Sequence, residues 1–346
     1  MVLGKNVQTL LVIVVGIAVV GAAFAVLTGT STTNNNKTGS ASLVSVGNWP
    51  QAVLFDPNNQ LVYVAVQNSN NLTIVNPSGM HVVGTIPFYN ARGLALDPTS
   101  GQLFVSDGFG DDFMVVNTAS NSEVTTSALS GYTYLVGAQF DSATGQLFFL
   151  ANNNDDILLV NPGTYALEQA IQVQANTGGG SGPIAAVDPQ THVMFYAARG
   201  SMGVDLVGEL NGTVFGFLPT GTSEGPVNTF YDPSNHLLYV ALGGWLYQNP
   251  GNQVVALNLT TGVQVASATV GVWPSSFAYD SSRHLLYVSC AVSGTISVIN
   301  DLTNQVVDTI SLGSSSMPGS IAIDPSTGNL FVGEDGTGML AELPPA

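Results

Sequence analysis

The chain has 346 residues, of which 45% are hydrophobic and 8% charged, with 22 carboxylates against five basic residues and a formal net charge of −17. Ordinary soluble domains carry roughly a quarter charged residues, and so acidic a chain lacks the lysines and arginines that neutralise phosphates, which excludes nucleic acid as a partner. With Cys290 as its single cysteine the chain forms no internal disulfide, and that residue reads as a small buried hydrophobe rather than a reactive thiol.

In chain order, the first feature is Leu10 to Leu27, an unbroken run of 18 residues with no charged or polar side chain. That length suffices for a helix across a bilayer. Lys5 is the only charge ahead of the run, which would orient the N-terminus to the cytoplasm and the remainder outside. Ala23-Phe24-Ala25 also fits the small-residue cleavage site of a secretory signal. Residues 1–28 are therefore expected to be a membrane anchor, through residues 10–27, or a signal peptide. The rest would lie at the cell surface, outside the cytoplasmic membrane, or be secreted if the segment is cleaved. Residues 29–40, rich in Ser, Thr and Asn, read as a flexible linker.

From residue 41 the chain repeats itself. Asp56, Asp97, Asp141, Asp188, Asp232, Asp280 and Asp324 recur at intervals of 41, 44, 47, 44, 48 and 44, each between two short apolar runs. The second runs, such as Leu61-Val-Tyr-Val-Ala and Leu237-Leu-Tyr-Val-Ala, are rich in β-branched and aromatic residues, and their near-continuous hydrophobicity suits strands covered on both faces. Third strands follow about ten residues later, and five end in Asn: Asn76, Asn117, Asn161, Asn258 and Asn300. Asn tolerates the positive φ of a tight turn and bonds its own backbone there. In the divergent fourth repeat, Asn211-Gly212 predicts a two-residue hairpin turn. A period of 40–50 residues with four strands per unit predicts an all-β, seven-bladed β-propeller over residues 41–346. The last repeat stops at Pro344-Pro345-Ala346 one strand short. Residues 41–46 are expected to supply that strand and close the ring, leaving no open edge.

The unit Trp273-Pro-Ser-Ser-Phe-Ala-Tyr-Asp280, His284-Leu-Leu-Tyr-Val-Ser, Gly294-Thr-Ile-Ser-Val-Ile-Asn300 and Val306-Val-Asp-Thr-Ile resembles the YVTN family of β-propeller repeats. Tyr-Val is kept in three blades, though none carries a full Tyr-Val-Thr-Asn. The resemblance covers residues 41–346. It implies a cell-surface or surface-layer interaction module, of a kind common in archaea and bacteria, and not one enzymatic activity.

The candidate chemistry divides by face. The repeat aspartates read as turn initiators, and His192, His236 and His284 occupy a turn position held elsewhere by Gln60, Gly101, Gly145 and Gly328. His81 follows another turn on the same face. The opposite face carries acidic loops, Asp107-Gly-Phe-Gly-Asp111-Asp112, Asn152-Asn-Asn-Asp155-Asp156 and Glu334-Asp-Gly-Thr-Gly338. These read first as a solvated acidic surface and second as a calcium site, since hard cations want several oxygens. Trp49, Tyr89, Tyr134 and Trp273 mark the blade-to-blade loops, with Arg92 near the channel, and the fifth blade adds the insert Gly243 to Gly251. Aromatics so placed either plug the channel mouth or bind a glycan or protein ligand. The expected role is binding or adhesion, with no catalytic residue assigned and no cofactor required. The alternative is a lactonase-like hydrolase using Arg92, Glu224 and the loop aspartates. Sequons at Asn36, Asn71, Asn211 and Asn258 are candidate glycan acceptors. With three arginines beside 22 carboxylates in residues 41–346, few carboxylates can be ion-paired, and an acid-tolerant surface domain is expected.

Overall fold

The structure is a computed structural model that describes residues 41–174, 184–221, 223–245 and 248–346. The expected anchor or signal segment, the 29–40 linker and the Asn36 sequon lie outside the described residues. The chain first lays down β1 (Ser42–Ser45). Blade one is β2 (Pro50–Asp56), β3 (Leu61–Val66), β4 (Asn71–Asn76) and β5 (His81–Pro87). Blade two is β6 (Ala91–Asp97), β7 (Gln102–Asp107), β8 (Asp112–Asn117) and β9 (Ser122–Ala128). In blade three, β10 (Leu135–Asp141), β11 (Gln146–Ala151), β12 (Asp156–Val160) and β13 (Leu167–Gln172) follow. Blade four has β14 (Ala185–Asp188), β15 (Val193–Ala198), β16 (Gly203–Gly208) and β17 (Thr213–Pro219). The fifth has β18 (Asn228–Asp232), β19 (Leu237–Trp245), β20 (Asn249–Asn258) and β21 (Val263–Thr269). Blade six contains β22 (Pro274–Asp280), β23 (Leu285–Cys290), β24 (Thr295–Asn300) and β25 (Gln305–Ser311). Blade seven joins β26 (Pro318–Ile323), β27 (Leu330–Glu334) and β28 (Met339–Leu343) to β1, in the order β1-β28-β27-β26.

All seven sheets are four-stranded and antiparallel. β1 pairs with β28 from Ser42 opposite Glu342 to Ser45 opposite Met339, as the truncated last repeat implied. Closure does not remove every edge. The outermost strand of each blade, β5, β9, β13, β17, β21, β25 or β1, has no neighbour beyond it, and Val124, Val263 and Val307 on these strands are more than half exposed. Blades stack face to face, so closing the ring joins faces and leaves the outer rims short but open.

The apolar second strands are explained by that stacking. Tyr63 and Ala65 of β3 point into a core shared with Leu103, Val105 and Met114 of blade two. Their neighbours Val62, Val64 and Val66 point the other way, into a core with Phe331 and Leu340 of blade seven. Alternate residues of one strand thus serve two cores, and burying each such side chain stabilises by about 1.5–3 kcal/mol.

Two turns differ from expectation. In blade four, β16 and β17 are joined by the four residues 209–212, with Gly212 at φ +59° and its N–H on the Gly208 carbonyl at 2.8 Å. The two-residue hairpin is therefore corrected to a four-residue turn, the same size as in blades one, two, five and six. Likewise the Asn ending each third strand is not itself at positive φ. Asn117 Oδ1 accepts the N–H groups of Ala119 and Ser120 at 3.0 Å, and the left-handed residue lies four positions on, at Met80, Asn121, Tyr165, Gly262 and Asn304.

Candidate ligand-binding face and the opposite turn face

The turn face shows what the repeat aspartates do. In every blade the aspartate Oδ1 accepts the N–H two residues on, at 2.8–3.0 Å. Four residues after each aspartate comes a left-handed position: Gln60, Gly101, Gly145, His192, His236, His284 and Gly328, with φ between 54° and 80°. The three histidines thus share a backbone role with glycine, while their side chains differ in company. His236 Nδ1 lies 2.9 Å from the Tyr231 hydroxyl, and His284 Nδ1 lies 3.3 Å from the buried Asp301.

His192 is placed differently. Its Nδ1 is 3.4 Å from Oε2 of Glu209, which is 0% exposed, and Asp141 of blade three approaches from across the seam. Ligand atoms of Asp141, His192 and Glu209 lie within 4.8 Å of one another. The Thr144 hydroxyl donates to Glu209 Oε1 at 2.7 Å. Burial, with Asp141 alongside, pushes the Glu209 carboxyl up to about 7. The sequence gives little sign of this group: Glu209 replaces a Thr, Pro, Leu or Asp after the third strand, and its partners come from two other turns.

On the opposite face a second left-handed residue precedes the first strand in five blades: Trp49, Asn90, Tyr134, Trp273 and Met317. The carbonyl of each accepts an N–H just beyond the second strand of its own blade, from Gln67, Gly108, Asn152, Ala291 and Asp335, at 2.9–3.2 Å. Backbone is fixed there, and the side chains project. Trp49, Tyr89, Phe109 and Tyr134 are 42%, 69%, 46% and 37% exposed, all from loops of blades one to three. Phe109 and Tyr134 meet edge to face with centroids 5.4 Å apart. Trp273 is only half-exposed. In the fifth-blade insert β19 and β20 lengthen, and the Trp245 ring lies 5.2 Å from the buried Arg199 guanidinium.

The acidic loops are not uniform. Asp107 is buried, and its Oδ1 accepts the N–H groups of Phe109 and Gly110 at 2.9 and 2.8 Å, so it shapes its own loop. Asp111 and Asp112 are half-exposed. Burial, then Asp111 and Asp107, raises the Asp112 carboxyl above its usual range, and burial with Asp155 does the same for Asp156. Asp155 itself sits at φ 54°.

Arg92 faces Asp335 of blade seven rather than Asp107. Gln51 Nε2 donates to Asp335 Oδ2 at 3.2 Å, and burial pushes the Asp335 carboxyl up to about 7 despite the Arg92 charge and that bond. Gly108 lets Arg92 lie close, since a Cβ there would stand 2.7 Å from Arg92 Cδ and 3.0 Å from Gln67 Nε2. Asp335 Oδ1 and Gln67 Nε2 are buried without a hydrogen-bond partner. Sequence reasoning found Arg92 and the acidic loop that carries Asp335, but neither their pairing nor Gln51 and Gln67; the four residues come from blades one, two and seven and share no motif. Of the sequons, Asn211 is exposed in its turn, Asn258 is half-exposed, and Asn71 lies within β4 with its Thr73 buried.

Fold and face together define a seven-bladed β-propeller, an architecture that serves both interaction modules and enzymes. Kuenenia stuttgartiensis hydrazine synthase has a similar fold, with a TM-score of 0.73 and 14% identity over 93% of this chain and 99% of that one. No protein-family model and no curated protein matches the chain.

Proposed function

We propose that this propeller is a YVTN-type binding module displayed at the cell surface, adhesive or surface-layer-associated, and that it captures a glycan or protein ligand. The observation carrying the proposal is the arc of exposed aromatics, Trp49, Tyr89, Phe109 and Tyr134, on one face of blades one to three. Beside it lie Arg92, Gln51, Gln67 and Asp335, where Asp335 Oδ1 and Gln67 Nε2 are buried without a hydrogen-bond partner. Flat rings with polar groups between them suit sugar faces and hydroxyls. The unbroken apolar run of residues 10–27, read as an anchor or signal, supports the surface location, and the acidic loops would repel anionic partners.

The test is binding of the labelled full-length chain to a glycan array and to surface-layer material, with millimolar calcium and with chelator. Trp49→Ala and Tyr134→Ala are expected to weaken binding at least tenfold, while Val263→Ala on an outer strand leaves it unchanged. Equal binding by all four proteins would refute the assignment. Calcium-dependent binding lost in Asp112→Asn or Asp156→Asn would assign the ion to those loops. The Arg92–Asp335 pair favours one second reading, a lactonase-like hydrolase; lactone turnover abolished by Arg92→Gln would establish it.

A further inference from the structure

On the turn face, ligand atoms of Asp141, His192 and Glu209 meet within 4.8 Å of one another. Asp141 Oδ2, His192 Nδ1 and Glu209 Oε2 are each buried and each without a hydrogen-bond partner. Leaving such atoms unsatisfied is costly, most of all for a carboxylate with no exposed surface. The internal repeat supplies a control. In blade five the Tyr231 hydroxyl meets His236 Nδ1, and in blade six the Tyr279 hydroxyl donates to Asp301 Oδ2 at 2.5 Å. Asp301 is the counterpart of Glu209, since both N–H groups bond the carbonyl of their blade's histidine. Each tyrosine immediately precedes its repeat aspartate. In blade four that position is Val187, which has nothing to donate.

We infer that Asp141, His192 and Glu209 bind a divalent transition-metal ion, zinc by preference, bridging blades three and four. One imidazole and two carboxylates are a donor set that zinc takes, with an open position for water. Tetrahedral zinc with bonds near 2.05 Å holds its ligand atoms about 3.3–3.4 Å apart, and His192 Nδ1 stands 3.4 Å from Glu209 Oε2. Asp141 and His192 are half-exposed and can swing onto the ion, while the Thr144 hydroxyl holds Glu209 from behind. Calcium and magnesium, which prefer all-oxygen sets, fit less well.

The position gives the ion a structural task. Among the described residues, β10 and β14 make the sparsest contact of the seven neighbouring pairs of inner strands, and β14 spans the four residues Ala185–Asp188. An ion held by one blade-three and two blade-four residues would fasten this seam. The site lies on the face opposite the aromatic arc, so neither assignment depends on the other.

The experiment is zinc titration of the chelator-stripped full-length chain in mild detergent, followed by calorimetry and thermal melting. One zinc per chain is expected, raising Tm by about 4 °C at a hundredfold excess over Kd. His192→Gln and Val187→Tyr should each weaken binding at least tenfold, the second by placing the hydroxyl of blades five and six into the gap. His284→Gln, which removes a histidine from the same repeat position, should leave binding unchanged. Absence of tight binding in the wild-type chain, or equal binding by His192→Gln, overturns the inference. So does a wild-type chain that takes no zinc while Glu209→Gln melts higher, because a proton shared between Asp141 and Glu209 would then fill the gap.

Discussion

At the scale of single residues, the tyrosines of the Tyr-Val runs fasten one blade to the next. Tyr63 and Tyr239 are fully buried, and their hydroxyls bond Asn121 Oδ1 at 2.5 Å and Asn304 Oδ1 at 2.8 Å, each in the following blade. Tyr287 accepts the N–H of Ala346 at 3.2 Å. Burial pushes the first two phenols up to about 12, so they act as neutral hydrogen-bond groups at any working pH. Tyr239→Phe should cost about 1–2 kcal/mol in urea unfolding, because Asn304 is left short of a donor. Cys290 is 0% exposed, with burial raising its thiol to about 11. It should resist thiol reagents in the native state and react once the chain unfolds. The sequence announces these tyrosines as a repeat signature and Cys290 as a core residue. It hides the partners of the hydroxyls, which lie 58 and 65 residues downstream. A similar distance, 68 residues, hid Glu209 from Asp141.

At the scale of strands and turns, periodicity carried most of the information. Seven aspartates mark seven first-strand ends because the turn needs a carboxylate for the N–H two residues on, and the missing last strand points to β1. What periodicity could not supply is how closely the strands approach. Gly93 of β6 runs so near β10 that a Cβ would stand 2.6 Å from Ala138 N, a backbone atom that cannot yield as a side chain could. Gly93→Ala should destabilise by about 1–3 kcal/mol in chemical unfolding. β1 is held by pairing with β28, the bond from Val46 N to Gly338 O at 3.0 Å, and the Thr73 hydroxyl on the Val46 carbonyl at 3.0 Å. Deleting residues 41–46 should strip β28 of its partner. A Tm several degrees lower and concentration-dependent association in light scattering are expected.

For the whole molecule, charge and pH are linked. Among the described residues Arg283 pairs with Asp280 at 2.5 Å, and the other charge contacts within 4 Å join histidines to carboxylates. Glu209 and Asp335 are raised to about 7 from ordinary values of 4.5 and 3.8. The folded state therefore binds more protons than the unfolded one between those limits, and stability falls as pH rises through that window. Asp280 and Asp324 are held below 3.8, chiefly by hydrogen bonds that outweigh their burial, and their contribution is lost as pH falls below that value. Metal-free protein should thus melt highest near pH 4, where the two effects cross, and Glu209→Gln should flatten the alkaline side of the profile. A ring whose final seam is made by its earliest strand also has a mechanical order. Tension passed along the chain through residue 41 reaches β1 before any other strand, and only four residues pair it to β28. Under load the seventh blade would yield first, with the six blades built from single continuous stretches of chain behind it.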